Sequence, residues 1–371
     1  MPCQLPVELL RLVVDNFRLP PFTSNLRTLE LEKETRTSLY SLSLTTHALN
    51  EIAQPLLYEF VRVPSDKYAE MLSLLVGNGR RSDQQSSIRT VAFGLEGTSE
   101  LADFGTMERL SSEVPKALRE VKELISSADF WTLDLFHGSN LSRVFLNHVN
   151  LVTTSISHLT FPSVEVLGLY SVYLNSHPLP IESFPALRHL IFDTDEIELD
   201  NDEATTLTEL HPQLDSIALV ADVFHRALPK VSTLPLASIL VSLFWYDIRE
   251  ELEAVSTVVN LRLLVTGALN LAMRSTYSSN LDFFASLLKN PNRFIRLQSI
   301  YLPTRNSLRG KFHTDEIFNS IENVALAAKD RGVLVVFEEQ SDSYDAESQI
   351  SEGFMRRMTQ RRIDGKGEKE K

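Results

Sequence analysis

Nine histidines, one cysteine and one dense run of carboxylates are the residues here whose types could do chemistry. Their spacing argues against it. The histidines stand at 47, 137, 148, 158, 177, 189, 211, 225 and 313, with no pair four residues apart and no HExxH. Helical metal ligation needs that spacing, because only residues one turn apart share a face. His137, His148 and His158 fit turn positions in successive segments better than one metal shell. Cys3 alone cannot build a thiolate zinc site, and no basic neighbour lowers its pKa. Asp193, Asp195, Glu196, Glu198, Asp200, Asp202 and Glu203 could together attract a divalent cation. A calcium loop also needs a glycine for its sharp turn, and none follows. The run reads as a solvated acidic loop, with docking of a basic protein segment as the sharper alternative. Gly77-Asn78-Gly79-Arg80-Arg81 lacks both phosphate-loop spacings and reads as a surface turn. No GxSxG elbow offers a serine nucleophile. These readings predict a chain that is not an enzyme, needs no cofactor or metal, and works by binding.

Bulk properties narrow what it binds. The chain has 371 residues, 43% of them hydrophobic and 23% charged, a composition that folds. The length suits one small module and one large or elongated domain. A net charge of −13 repels phosphate backbones, so no nucleic-acid partner is expected. One cysteine excludes an internal disulfide framework and fits a reducing compartment. Glu8, Arg11 and Asp15 interrupt the start where a secretory signal would be apolar, and no uncharged apolar stretch is long enough to cross a membrane. The expected location is cytoplasmic, nuclear or both, with no membrane partner.

The first 64 residues carry helical spacing. Pro6 suits a first helical position. Behind it Leu9, Leu10, Val13, Val14 and Phe17 recur at the spacing of an apolar stripe. Arg18-Leu19-Pro20-Pro21 ends that helix, and the charged residues 22–36 read as a loop. A second helix is predicted over about 37–44 through Leu39 and Leu42. Thr45 or Thr46 would cap a third, carrying Ala48, Leu49, Ile52 and Ala53. Pro55 is expected to restart the chain into Leu56-Leu57-Tyr58, and Phe60–Val63 alternates like a strand.

The opening Leu5-Pro6-Val7-Glu8-Leu9-Leu10, and the block 41–63 ending Pro55-Leu56-Leu57-Tyr58-Glu59-Phe60-Val61-Arg62-Val63, resemble the F-box-like head of fungal F-box proteins. The resemblance implies a three-helix module that binds the Skp adaptor of Skp–cullin–F-box (SCF) ubiquitin ligases. Carried over by position, the adaptor contacts would be Leu5, Pro6, Leu9, Leu10, Val13 and Val14, joined by Leu39 and Leu42. The residues alone also allow a plainer role, in which three amphipathic helices cap the end of a repeat domain.

Beyond residue 64 the motif apolar-x-x-apolar-x-apolar recurs. It begins at Ile88, Phe130, Leu141, Val164, Leu187, Leu214, Leu236, Leu261 and Leu297. From Leu141 onward the first positions lie roughly 22–36 residues apart, around the ~20–29-residue period of leucine-rich repeats. Phe161-Pro162-Ser163-Val164, Phe184-Pro185-Ala186-Leu187 and His211-Pro212-Gln213-Leu214 share a proline two residues before the first apolar position. Proline forces extended backbone before it and so marks entry into a strand. This lead-in also resembles fungal F-box proteins with degenerate leucine-rich repeats. Helices are predicted over 111–126, 280–288 and 314–329, the last capped by Thr314 and stopped by Gly332 ahead of a strand at 333–337.

The expected architecture is α/β. A helical F-box-like module over 1–64 precedes an irregular leucine-rich-repeat solenoid over 65–340, a curved parallel sheet with helices and loops outside, and a disordered, basic-ended tail over 341–371. Side chains between the leucines would face a target, and Arg143, Phe145, Tyr170, His189, Asp193 and Tyr301 are the candidates. The implied function is substrate recognition in an SCF-type E3 ligase. Its partners would be the Skp-family adaptor, the cullin ligase core and an unknown protein substrate. A non-ligase repeat scaffold with a helical N-terminal cap is the alternative.

Overall fold

The computed structural model describes residues 6–17, 26–63, 88–93, 120–126, 133, 136–147, 150–151, 158–170, 173–174, 181–193, 214–220, 238–243, 258–265, 274–306 and 314–338. The predicted tail, the acidic run beyond Asp193 and the turn at Gly77 lie outside these residues. The chain forms two compact units. One comprises Met1–Leu151, Ser155–Val164 and Glu182–Pro185; the other comprises Val152–Thr154, Glu165–Ile181 and Ala186–Lys371. The helical head thus shares the first unit with the earliest strands.

The head contains α1 (Val7–Asp15), α2 (Leu26–Ser43) and α3 (His47–Glu59). The second helix corrects the loop expected over 22–36. Leu26–Ser43 contains no glycine or proline and is rich in Leu, Glu, Lys and Arg, all strong helix formers. Polarity had masked that propensity. Thr46 caps α3, its hydroxyl accepting from the Leu49 amide at 3.2 Å. Pro55 does not restart the chain but sits inside α3. Pro55 and Glu51 are both exposed, so water can take the carbonyl that proline leaves unbonded. Buried Val14, Leu39 and Ala53 form the head's core, with Phe17, Leu42, Leu49, Ile52, Leu56 and Leu57 packed around them.

From α3 the chain enters β1 (Phe60–Val63) without a loop. The Arg36 guanidinium on α2 donates to the Phe60 carbonyl at 2.8 Å. β2 (Thr90–Phe93), β3 (Glu123–Ser126) and β4 (Arg143–Asn147) follow, with a two-residue β5 (Asn150–Leu151). β1 to β4 pair in parallel in chain order. Each next strand begins with amides that bond the carbonyl just ahead of the previous strand: Arg89 to Glu59 at 2.9 Å, Glu123 to Arg89 at 3.0 Å and Arg143 to Lys122 at 3.0 Å. The register aligns Val61, Val91, Leu124 and Val144 in one apolar row. β3 corrects the helix expected through residue 126. Val121, Leu124 and Ile125 fit helical spacing, and Ser126 breaks the apolar motif, yet pairing with β2 and β4 makes 123–126 a strand. The strand expected from Phe130 is absent from the described part of that segment, where Leu133 is helical and buried.

The second unit carries β6 (Val166–Tyr170), a two-residue β7 (Tyr173–Leu174), β8 (His189–Asp193), β9 (Ser216–Val220), β10 (Ser238–Leu243) and β11 (Asn260–Val265). α4 (Arg274–Lys289), β12 (Ser299–Pro303), α5 (Thr314–Asp330) and β13 (Leu334–Glu338) complete it. β6, β8, β9, β10, β11, β12 and β13 pair in parallel in that order. The fold class is α/β. At β11 the leading apolar position is the buried Val258, not Leu261, which pairs with Ile300 inside the strand.

The lead-in turns have a packing reason. Phe161 and Phe184 are buried and stack at 5.3 Å, and the Phe161 amide donates to the Ser183 carbonyl at 2.7 Å. Phe294 holds the same place three residues before Leu297 without a proline. The Leu297 amide returns to its carbonyl at 3.0 Å, as Val164 does to Phe161 at 3.3 Å. Its ring meets Phe284 edge-on at 5.2 Å.

α5 ends as expected. Gly332 has φ +75, its amide bonds the Lys329 carbonyl at 2.9 Å and the Val333 amide bonds Ala328 at 3.0 Å. That is the Schellman arrangement, which needs a residue in the left-handed region. Arg331 beside it donates to the carbonyls of Leu288 (3.0 Å), Asn290 (3.4 Å) and Phe294 (3.4 Å), closing the end of α4. Thr314 is the first helical residue of α5. Gly332→Ala is expected to lose about 1 kcal/mol of stability from the left-handed backbone alone. Chemical denaturation, with the midpoint falling at unchanged slope, checks it.

Candidate functional site

The helix α1 is short with a broad apolar arc, and the fold uses only part of that arc. Pro6 lies just ahead of the first turn, its carbonyl accepting from the Leu9 and Leu10 amides at 3.0 and 3.2 Å. Asn16 closes the far end, its side-chain amide donating to the Leu12 carbonyl at 2.9 Å. Leu10, Val14 and Phe17 follow helical spacing toward α2 and α3; Val14 is fully buried and the other two half-buried. Val7, Leu9, Leu12 and Val13 remain 46%, 47%, 62% and 48% exposed. Leu9, Leu12 and Val13 stand at i, i+3 and i+4 and form one strip. Exposed Glu8, Arg11 and Asp15 occupy another arc of the helix. A strip of this kind can pack against an apolar surface, and a charged arc beside it can orient the contact.

The expected adaptor contacts therefore divide. Leu9 and Val13 face outward, Pro6 is exposed and Leu10 is half-buried. Val14, Leu39 and Leu42 belong to the head's own core and are corrected as contact residues, because a three-helix bundle this small needs them to close. Leu5 lies outside the described residues. Leu12 joins the outward strip and was missed; Val7 is also exposed but lies across the helix, beside Leu10 and Arg11. The signal for Leu12 was visible in the helical period, which places it beside Leu9.

The expected target-reading face is less open. Phe145, His189 and Tyr301 are buried, at 0%, 2% and 1% exposure. They occupy the intended positions between inward leucines, yet both faces of the strands are closed there. β3 and β12 are buried at every residue. Parallel strands are ordinarily covered on both sides, and the expectation of a bare face is corrected on that ground. Tyr170 and Asp193 pair in register at the ends of β6 and β8. Arg143 is the partly exposed member. Its Nε donates to Glu123 Oε2 at 2.7 Å, and the Thr90 hydroxyl reaches Glu123 Oε1 at 3.4 Å across the β2–β3–β4 register. Glu123 is 3% exposed, so Arg143 neutralises a buried carboxylate and is not free for a partner.

Metal and cofactor chemistry gains no support. Among the described residues no group of His, Cys, Asp and Glu is placed to hold a metal ion. His137 is an exposed turn residue whose Nδ1 accepts from the Thr160 amide at 3.0 Å, and His158 is exposed. No helix among the described residues is long and apolar enough to cross a membrane.

No family model matches the chain, and no curated protein matches it. Among solved structures it is aligned with the crystal structure of citrate synthase SbnG at 12% identity, over 51% of this chain and 87% of that one, with a TM-score of 0.23. A likeness at that score carries no argument about fold or activity.

Two substitutions separate the strip from the core. Leu9→Asp should change stability by no more than about 0.5 kcal/mol, as an exposed position does. Val14→Asp should cost above about 3 kcal/mol by burying a carboxylate. Thermal melts of both variants test the assignment. On the strands, Arg143→Ala should cost about 2–3 kcal/mol by stranding Glu123, while Arg143→Ala with Glu123→Gln recovers part of that loss; a denaturation double-mutant cycle measures it.

Proposed function

We propose that this chain is a non-enzymatic substrate-recognition subunit of an SCF-type ubiquitin ligase. Its divergent F-box-like head would dock the Skp-family adaptor and, through it, the cullin core. An irregular leucine-rich-repeat body would hold an unidentified protein substrate, in the cytoplasm, the nucleus or both. The observation carrying the reading is the outward strip of Leu9, Leu12 and Val13 on α1, with half-buried Leu10 at its margin. The head closes its core on Val14, Leu39 and Ala53 and still leaves this strip to a partner. Parallel strands in chain order, each preceded by a buried apolar residue, support the repeat reading of the body. Target contacts would come from loops and strand ends, since Phe145, His189 and Tyr301 are enclosed.

A second reading has its own observation. α3 runs straight into β1, and Arg36 ties α2 to the start of that strand. This continuity suits a helical cap on a non-ligase scaffold. The two roles use different faces of the head, so capping alone predicts that the α1 strip binds nothing.

Pull-down of the full chain with purified Skp adaptor distinguishes them. The ligase reading expects capture, weakened at least about tenfold by Leu9→Asp with Leu12→Asp, since an apolar anchor lost from an interface centre costs above about 1.4 kcal/mol. Absence of capture, or capture indifferent to that pair, favours the scaffold.

A further inference from the structure

Among the described residues, the last strand leaves one edge unpaired. β13 pairs with β12 in a five-residue register from Ser299↔Leu334 to Pro303↔Glu338 and is the terminal strand of its ladder among the described residues. The Leu334 amide donates to the Gln298 carbonyl at 2.9 Å, and the Glu338 carbonyl accepts from Thr304 at 2.9 Å. The N–H and C=O of one strand residue point to the same side and alternate along the strand. Leu334, Val336 and Glu338 therefore turn their backbone groups toward β12, and Val335 and Phe337 turn theirs outward. Leu334 and Phe337 also keep 56% and 40% of their surface exposed. Natural edges are commonly protected by lysine, proline or a bulge. Leu334-Val335-Val336-Phe337-Glu338 has neither residue, and its register shows no bulge.

We propose that this edge pairs with the same edge of a second copy, antiparallel about a two-fold axis at Val336. The register is self-complementary. Val335 would face Phe337 of the second copy, and Phe337 its Val335, so every outward donor and acceptor is met by its symmetry mate, as an isologous contact requires. Val336 meets its own copy in the intervening non-bonded pair. Glu338 lies opposite Leu334 of the second copy, which keeps the two carboxylates apart. A second copy satisfies this pattern without a separate partner sequence. The strand has five residues, against the ~20–30 a side of a standard interface, so the dimer is weak and reversible, with dissociation between about 1 µM and 1 mM.

Sedimentation velocity on the full chain across that range tests it. The wild type should shift toward dimer as concentration rises. Val336→Lys and Val336→Glu should each weaken association up to about fivefold, since like charges then stand directly opposite at the axis. An equimolar mixture of the two should restore it, which misfolding could not do. Hydrogen exchange on the wild type gives an independent measure: protection of 334–338 should rise with concentration while 299–303 stays constant. A chain that is monomeric throughout, a mixture that fails to restore association while both variants keep wild-type circular dichroism, or protection of 334–338 independent of concentration overturns the proposal.

Discussion

The structure depends on one constraint: a strand with inward apolar residues cannot close its surface alone and must be covered by the next strand laid parallel beside it. Each strand start is fixed by an amide that reaches the carbonyl ahead of its predecessor, as Glu123 does to Arg89 and His189 to Glu165. That bond sets the register, and the register aligns Val61, Val91, Leu124 and Val144 in one unit and Leu167, Leu190 and Ile217 in the other. A slip of one residue would move every side chain of a strand to the opposite face and break these apolar rows.

The same economy explains where binding surface remains. The head has few residues with which to bury a core, and it spends Val14, Leu39 and Ala53 on its own closure. α1 is apolar beyond what that closure needs, and the surplus stays outside. On the strands the opposite holds. Positions between the leucines, free in principle, are closed off at Phe145, His189 and Tyr301, and the charge that does enter, Glu123, arrives with Arg143 to neutralise it.

Much of the secondary structure was legible. The strands at Thr90, Arg143, Val166, His189, Ser216 and Ser299 fall where the apolar-x-x-apolar-x-apolar motif put them, and Gly332 stops α5 because only a residue tolerant of positive φ fits there. The misses share a cause. Val121, Leu124 and Ile125 fit helical spacing, and only pairing makes 123–126 a strand. Residues 26–36 looked like a loop because polarity conceals helix propensity when no apolar stripe accompanies it. Pro55 stayed inside α3 because its unbonded carbonyl falls on the wet side.

For the candidate site the division is similar. Helical period alone named Leu9 and Val13, but it could not tell them from Val14, since all three lie on one broad apolar arc. The amino-acid sequence determined that α1 is an amphipathic helix, that an apolar motif recurs at most strands, and that one cysteine can form no thiolate pair. Those are properties of residue type and spacing along a line. Which side of α1 is covered, and which strand faces are closed, was decided only when α2 and α3 met it and when neighbouring strands and their coverings came together. Burial belongs to pairs of surfaces distant in the chain, and no local pattern encodes both partners.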